Sequence, residues 1–383
     1  MNNTALIFGA GKTGRGFAAH LAFISGYEVI LVDKNKQLIE DLKKAGRYNI
    51  EVLGNEERNC TINLSGAYTI DDQAWLPAFV STHLIFTSVF GNNLEAIATN
   101  LAAALRKRYI ENARQYLTII TCENLTNAAG FLQNMVVKHM SKEEEKWLLQ
   151  WVGFSEAIIF RTCLDAGAAQ SALTVRAQNF FEMPCDGEAV KENLHMNGLK
   201  PLTNFRHQLR RKIYTYNCIN AVIAYLGAEK GYLQLDEAAN DPSIVAIARK
   251  AAIETCSAQV AEFGFNPIEQ QEWMEAALAK FADRNIPDPV ERNAADPARK
   301  LGRDDRLIGP ALLAMKHHID PEGLLAGIVA SFNYFDRDKK YKLADLIRQK
   351  GPDVVLKEIC GLSPEEELFR LIKAEIVKSG LHD

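Results

Sequence analysis

The chain of 383 residues lacks the features that mark several function classes. It has no run of 18 or so apolar residues, so no membrane span is expected. The opening residues, MNNTALIFGAG, carry neither a basic n-region nor a long apolar core, so no signal peptide is expected. The seven cysteines (Cys60, Cys122, Cys163, Cys185, Cys218, Cys256 and Cys360) contain no CxxC pair. An odd, scattered set argues for reduced thiols rather than a disulfide framework. There is no excess of positive charge. A net charge of -4 gives no support for a nucleic-acid or anionic-membrane partner. These absences lead to the expectation of a soluble cytoplasmic protein. Also missing are a GxxxxGK[ST] phosphate loop, any Cys/His cluster with zinc-ligand spacing, and any tyrosine with a lysine four residues later. His317 and His318 are neighbours on a predicted helix, point about 100° apart, and make a poor metal pair. No metal is expected.

What is present suits two domains, since 48% of so long a chain is hydrophobic. The expected fold is an α/β N-terminal Rossmann-type doubly wound sheet over 1–190. A mostly α-helical C-terminal domain over 191–383 would carry substrate and catalysis. Between them, Asp186 to Thr203 shows low periodicity and contains Gly187, Gly198 and Pro201.

Ala5 to Phe8 is a short apolar run, read as a buried parallel strand. It leads into Gly9-x-Gly11-x-x-Gly14, with Lys12 and Thr13 inside, and then a helix. Gly9 makes the tight turn, Gly11 lets backbone approach a pyrophosphate, and Gly14 lets the helix pack closely. The helix N-terminus offers free N–H groups to phosphate. A second strand from Glu28 ends at Asp33, placed to accept hydrogen bonds from an adenosine ribose. Asp33 also repels a 2′-phosphate, which favours NAD over NADP; Lys34 beside it weakens that preference slightly. Ile50–Leu53 and Cys60–Leu64 read as strands making an excursion from the parallel sheet. Two later strand ends, Thr87-Ser88 with the residues to Gly91 and Glu123-Asn124, are expected at the carboxyl edge, facing the nicotinamide half. On spacing alone Asn124 also reads as an N-cap or turn residue before a helix from Thr126. Beyond the strand near Trp151–Phe154, Glu156 can reach a substrate or pair with Arg161, and pairing is the simpler reading of two close opposite charges.

From Asn204 on, the pattern is nearly all helical. Phe205 to Leu226 reads as one buried helix carrying Lys212, Asn217 and Asn220. Counting ~100° per residue, Asn220 lies about 80° and Asn217 about 140° from Lys212, so the three are expected to share one broad face. Such polar groups in an apolar helix need partners or a wet cleft. A metal-free hydride transfer needs a general base and donors for the developing alkoxide. Lys212 can be that base if burial lowers its pKa, and the two amides can be the donors. The segment Glu291 to Arg306 is charged. Arg292, Arg299, Lys300, Arg303 and Arg306 can bind a phosphate or carboxylate, although by charge alone the segment reads as a neutralised surface loop.

Several segments in order, FGAGKTGRGF from Phe8, Asp33, TCEN from Thr121, VGF from Val152, RKIYTYNCINAVIAYLG from Arg211, DPARKLGRDDRLIGP from Asp296 and KGPDVVL from Lys350, resemble the polyol-specific long-chain dehydrogenase/reductase family. Its signature is Lys-x4-Asn-x2-His. The resemblance implies that Lys212 is the general base and Asn217 polarises the reacting oxygen. Asn220 stands where the family has histidine, and Phe160-Arg161 stands where it has Asp-Arg. The implied activity is NAD-dependent interconversion of a sugar-alcohol phosphate and a ketose phosphate, D-mannitol 1-phosphate and D-fructose 6-phosphate being the expected pair. An unphosphorylated polyol or hexuronate is the alternative substrate class, and a non-catalytic NAD-binding sensor is a third reading. The expected partner is a small sugar or sugar phosphate, and the chain a monomer or small homo-oligomer.

Overall fold

The computed structural model describes residues 3–112, 114–166, 172–191 and 194–381. The chain divides into two compact units, Met1–Arg206 and His207–Asp383. Among the described residues no helix is long and apolar enough to cross a membrane.

The first unit is built on strands β1 (Thr4–Phe8), β2 (Glu28–Asp33), β3 (Arg47–Leu53), β4 (Cys60–Thr69), β5 (Leu84–Thr87), β6 (Leu117–Thr121), β7 (Val152–Glu156), β8 (Cys163–Asp165) and β9 (Val175–Gln178). They form one sheet in the order β7-β6-β5-β1-β2-β4-β3-β9-β8. From β7 to β2 every pairing is parallel. That is the doubly wound order, with its switch point between β1 and β5. β1 explains why its sequence reads as unbroken apolar. Ala5 and Ile7 enter the core on one face, and Leu6 and Phe8 the core on the other. The expected excursion is real. β4 pairs parallel with β2 but antiparallel with β3, which then carries β9 and β8. The low-periodicity stretch holds a small parallel pair, β10 (Met183–Asp186) and β11 (Leu199–Leu202).

One buried charge ties this unit together. Arg108 has no exposure. Its guanidinium donates to the carbonyls of Phe79, Val80, Thr82, Gln115 and Tyr116, at 2.7 to 3.4 Å. It thus closes loop ends that neither helix nor sheet satisfies. Arg108→Met would strip several buried carbonyls of their donor at ~1–3 kcal/mol each. The expected result is a urea midpoint lowered by roughly 3 kcal/mol or more of stability at unchanged m-value.

The second unit is helical around Cys218–Glu229, against which Pro242–Phe263 and Glu322–Asn333 pack. Gly327 permits the close crossing, since a Cβ there would sit 2.7 Å from Val222 Cγ2. The helix expected from Phe205 to Leu226 forms and runs on to Glu229, with a π turn inside it. An α-helix, Phe205–Lys212, passes into a π turn, Ile213–Asn217, and then into Cys218–Glu229. A second π turn, Gly14–Ala18, follows the glycine loop of the first unit. Periodicity does not reveal π turns, because one extra residue leaves the apolar pattern on either side intact. Such turns concentrate at functional sites.

Candidate active site

In the first unit, register lines up the expected binding residues along one sheet edge. Phe8 pairs with Thr87, Thr87 with Thr121, and Thr121 with Glu156. All four end parallel strands, so the groups that follow them share the carboxyl edge. Gly9 has φ 99°, and a Cβ on it would lie 2.1 Å from the Ser88 carbonyl oxygen. A Cβ on Gly14 would lie 1.9 Å from the Gly9 carbonyl. Gly11 instead faces open space, with nothing within 4 Å of a Cβ built there. A phosphate can therefore approach the backbone at Gly11. Asp33 closes the loop from the next strand. Its Oδ2 accepts the Ala10 N–H at 2.6 Å and its Oδ1 the Asn35 N–H at 2.8 Å. A carboxylate has about four acceptor sites, so two remain for ribose hydroxyls. Lys12 pairs with Asp165 at 3.0 Å, with both side chains exposed. A surface pair of that kind is worth only ~0–1 kcal/mol, which leaves Lys12 able to turn to a phosphate. Thr13 is helical and leads into the π turn. These residues fit a dinucleotide.

The loop after β5 is pinned by Glu123, whose Oε1 accepts the Val89 N–H at 2.8 Å. Burial raises the Glu123 pKa, and the Val89 and Phe90 N–H groups oppose that rise. Phe90 is held at φ 65° and is 79% exposed, so the loop presents a strained aromatic to solvent. Asn124 is not a helix N-cap. The helix is Ala128–Val137, and the N-cap position is Asn127. The Glu156–Arg161 pair does not form either. Glu156 is buried and takes the backbone N–H groups of Ala128 and Asn127, with its pKa raised to about 7 chiefly by desolvation. Arg161 donates to the Gln178 carbonyl at 2.7 Å, meets His20 Nδ1 at 3.0 Å and lies over Phe181. A helix N-terminus and a carbonyl serve each charge better than the other does.

Sequence reasoning missed Arg15, which is 3% exposed. Its Nε donates to the Ala10 carbonyl at 2.8 Å, and Nη1 donates to the Leu173 carbonyl. It braces the glycine loop from behind. The signal was a long cation between two glycines of a close-packed helix start.

In the second unit, the π turn changes the relation of the signature residues. With ~3.6 residues per turn, Lys212 and Asn217 lie about 140° apart, at the two limits of the broad face expected of them. In i→i+5 geometry residues five apart follow one another by about one turn, so the π turn Ile213–Asn217 narrows that angle. Lys212 is 7% exposed. Its pKa is pushed down to about 7, first by desolvation, then by Arg306 and Lys280, against a rise from Asp305, with Arg299 lowering it further. Asn217 is 9% exposed, and its Nδ2 is buried with no acceptor among the described residues. Asn220 is differently placed. Its Nδ2 donates to Asn293 Oδ1 at 3.0 Å.

The charged segment is not an open loop. It folds into Val290–Ala294, Pro297–Lys300 and a run of turns. Lys300 is buried, donates to the Asn293 carbonyl and lies 5.7 Å from the Tyr225 ring, and burial holds its pKa well below the usual lysine value. Arg306 is also buried and donates to Asp305 Oδ1 at 2.7 Å. Arg299 bridges Asp296 and Asp305. Arg303 is committed elsewhere, to both oxygens of Glu366 and the Gly361 carbonyl.

Two family models match the chain: the mannitol dehydrogenase Rossmann domain over residues 3–198, and the mannitol dehydrogenase C-terminal domain over residues 205–358. Among its relatives, the mannitol-1-phosphate 5-dehydrogenase of Bacillus pumilus (strain SAFR-032) is 31% identical over 98% of this chain and 100% of its own. That of Bacillus subtilis (strain 168) is 32% identical over 96% and 98%. Among solved structures, a D-sorbitol dehydrogenase in substrate-free form superposes with TM-score 0.77 at 15% identity, covering 100% of this chain and 94% of the other. The Pseudomonas fluorescens mannitol 2-dehydrogenase ternary complex with NAD and D-mannitol gives 0.75 at 16%, covering 100% and 93%. At those identities the structural likeness speaks for the fold.

Proposed function

The chain belongs to the mannitol dehydrogenase family of polyol dehydrogenases, and we propose that it interconverts a sugar-alcohol phosphate and a ketose phosphate with NAD, using Lys212 as general base. D-mannitol 1-phosphate and D-fructose 6-phosphate are the proposed pair. One observation carries the reading: a buried lysine with its pKa near 7 stands one π turn from a buried amide whose N–H group has no acceptor among the described residues.

The nicotinamide, when bound, takes or gives the hydride. The chain supplies the rest. Gly9, Gly11 and Gly14 shape the phosphate loop, and Asp33 takes the ribose. Lys212 in its neutral form removes the hydroxyl proton of the alcohol, and as an ammonium returns it to the ketone. Asn217 Nδ2 donates to the same oxygen, where charge develops. Arg299, Lys300 and Arg306 are proposed for the phosphate ester. Arg299 and Arg306 act on Lys212 electrostatically, which supports placing an anion there. Arg303 is the weaker member because Glu366 and the Gly361 carbonyl hold its guanidinium, and it is not among the principal charges acting on Lys212.

Rates of NADH oxidation with fructose 6-phosphate, fructose and tagaturonate test the substrate. The phosphate ester should show the highest kcat/KM. Equal or better turnover of fructose or tagaturonate would replace the phosphate reading. Asp33→Ser tests the cofactor. Losing charge-assisted bonds to ribose, worth ~1.5–3 kcal/mol, should raise the Kd for NAD by roughly ten-fold or more and narrow the preference over NADP. Fluorescence titration with both nucleotides reads the change.

A further inference from the structure

Cys218 marks where the signature segment leaves α-helical register. Its N–H donates to the carbonyls of Ile213 and Thr215 and passes over Tyr214, the carbonyl an α-helix would give it. A carbonyl passed over inside a core is costly unless another donor reaches it. Thr255 is that donor. It is fully buried on Pro242–Phe263, and its hydroxyl donates to the Tyr214 carbonyl at 2.9 Å. Thr215, inside the turn, accepts the amide nitrogens of Gln259 and Gln270, each at 3.1 Å. Gln259 Nε2 also reaches Thr255 Oγ1 at 3.3 Å. Gln270 Oε1 takes Arg211 Nε at 2.6 Å, the residue before Lys212, and the Arg211 guanidinium lies 4.1 Å from the Trp273 ring centre. The Tyr214 ring rests on Gly309, where a Cβ would fall 2.3 Å from the phenol oxygen.

These side chains bond to one another and to the turn, and two neighbouring helices, Pro242–Phe263 and Pro267–Ala282, supply them. In an unbroken α-helix, Lys212 and Asn217 would lie about 140° apart around the axis. We infer that Thr255, Gln259 and Gln270 are positioning residues, whose hydrogen bonds hold Ile213–Asn217 as a π turn and so aim Lys212 and Asn217 at one carbon–oxygen group. The inference rests on the reading of Lys212 and Asn217 as base and oxygen donor. Networks of this kind are worth keeping only when complete, because a partly satisfied set in a low-dielectric core is costly.

The experiment compares Thr255→Val, Thr255→Ser and Lys212→Met with the wild-type enzyme. It reads kcat, KM, NAD affinity and the pH at which polyol oxidation is half-maximal. Thr255→Val keeps shape but removes the donor. It should lower kcat by about 10- to 100-fold, as misplacement of reacting groups by an ångström does, with NAD affinity unchanged. Its half-maximal pH should move upward, because a Lys212 released from its packed position drifts toward the ordinary lysine value. Thr255→Ser keeps the hydroxyl and should restore both rate and pH midpoint. A Thr255→Val enzyme with wild-type kcat and midpoint overturns the inference. So does a rate loss that leaves the midpoint in place and that serine does not repair. If Thr255→Val yields no folded protein, Gln259→Met removes the amide that joins the two threonines and carries the same expectations, and unchanged kinetics there overturn the inference equally. Normal turnover by Lys212→Met would instead remove the base reading itself. An inactive Lys212→Met beside an unperturbed Thr255→Val would remove only the positioning role.

Discussion

Lys212→Met is expected to lower kcat for polyol oxidation by ~10²-fold or more while leaving NAD affinity intact, as loss of a positioned general base does. The physical reason lies in protonation. A lysine at its ordinary 10.5 would be neutral in only roughly one molecule in 3,000 at pH 7. Desolvation, with Arg306 and Lys280 adding like charge, brings Lys212 down to about 7 and makes the neutral form abundant. The sign of the pH effect follows. With Lys212 as the proposed base, oxidation needs its neutral form, so the rate is expected to rise with pH through about 7 and then level. Ketone reduction needs the ammonium, so its rate is level at lower pH and falls above the same point. Methionine keeps the length and apolar stem, so a rate loss in this variant reports the amine rather than a cavity.

The second large effect is expected at Asn217. A donor aimed at a developing oxyanion is worth ~10²–10³ in kcat when removed. Asn217→Asp tests this without changing shape, because a carboxylate cannot donate where the amide does and adds a negative charge where negative charge must develop. Its kcat should fall by about that factor with KM for the nucleotide unchanged. The amide donor is buried without an acceptor among the described residues, which is what a site awaiting an oxygen requires. Asn220 gives a contrast. It already donates to Asn293, so Asn220→Ala should cost far less than Asn217→Asp in the same assay.

The contrast between these residues shows what the sequence could and could not carry. The glycine spacing, Asp33 and the apolar β1 strand were legible because each answers to a local rule of turn, charge or two-sided burial. The carboxyl-edge alignment of Phe8, Thr87, Thr121 and Glu156 followed from the doubly wound order. Lys212 and Asn217 stood out in the sequence as polar groups in an apolar helix, but the π turn between them did not. A count of ~100° per residue put Lys212 and Asn217 about 140° apart on one broad face, and it could not show the π turn between them. A one-residue insertion into a helix leaves no trace in hydrophobic periodicity. Pairings across long separations were equally hidden. Nothing near Arg161 in the chain foretells His20 and Gln178 as its partners, and nothing near Arg303 foretells Glu366. Charge composition treated Glu291 to Arg306 as a neutralised surface loop, whereas burial of Lys300 and Arg306 depends on tertiary packing that charge alone does not encode.

The most direct test of the central claim is the pH dependence of kcat/KM for NAD-dependent oxidation of mannitol 1-phosphate by the wild-type enzyme. A single ascending limb with an apparent pKa near 7, absent from the residual activity of Lys212→Met, is the expected result. A limb left in the ordinary lysine range, or one that survives unchanged in Lys212→Met, would contradict the assignment of the buried lysine as the base.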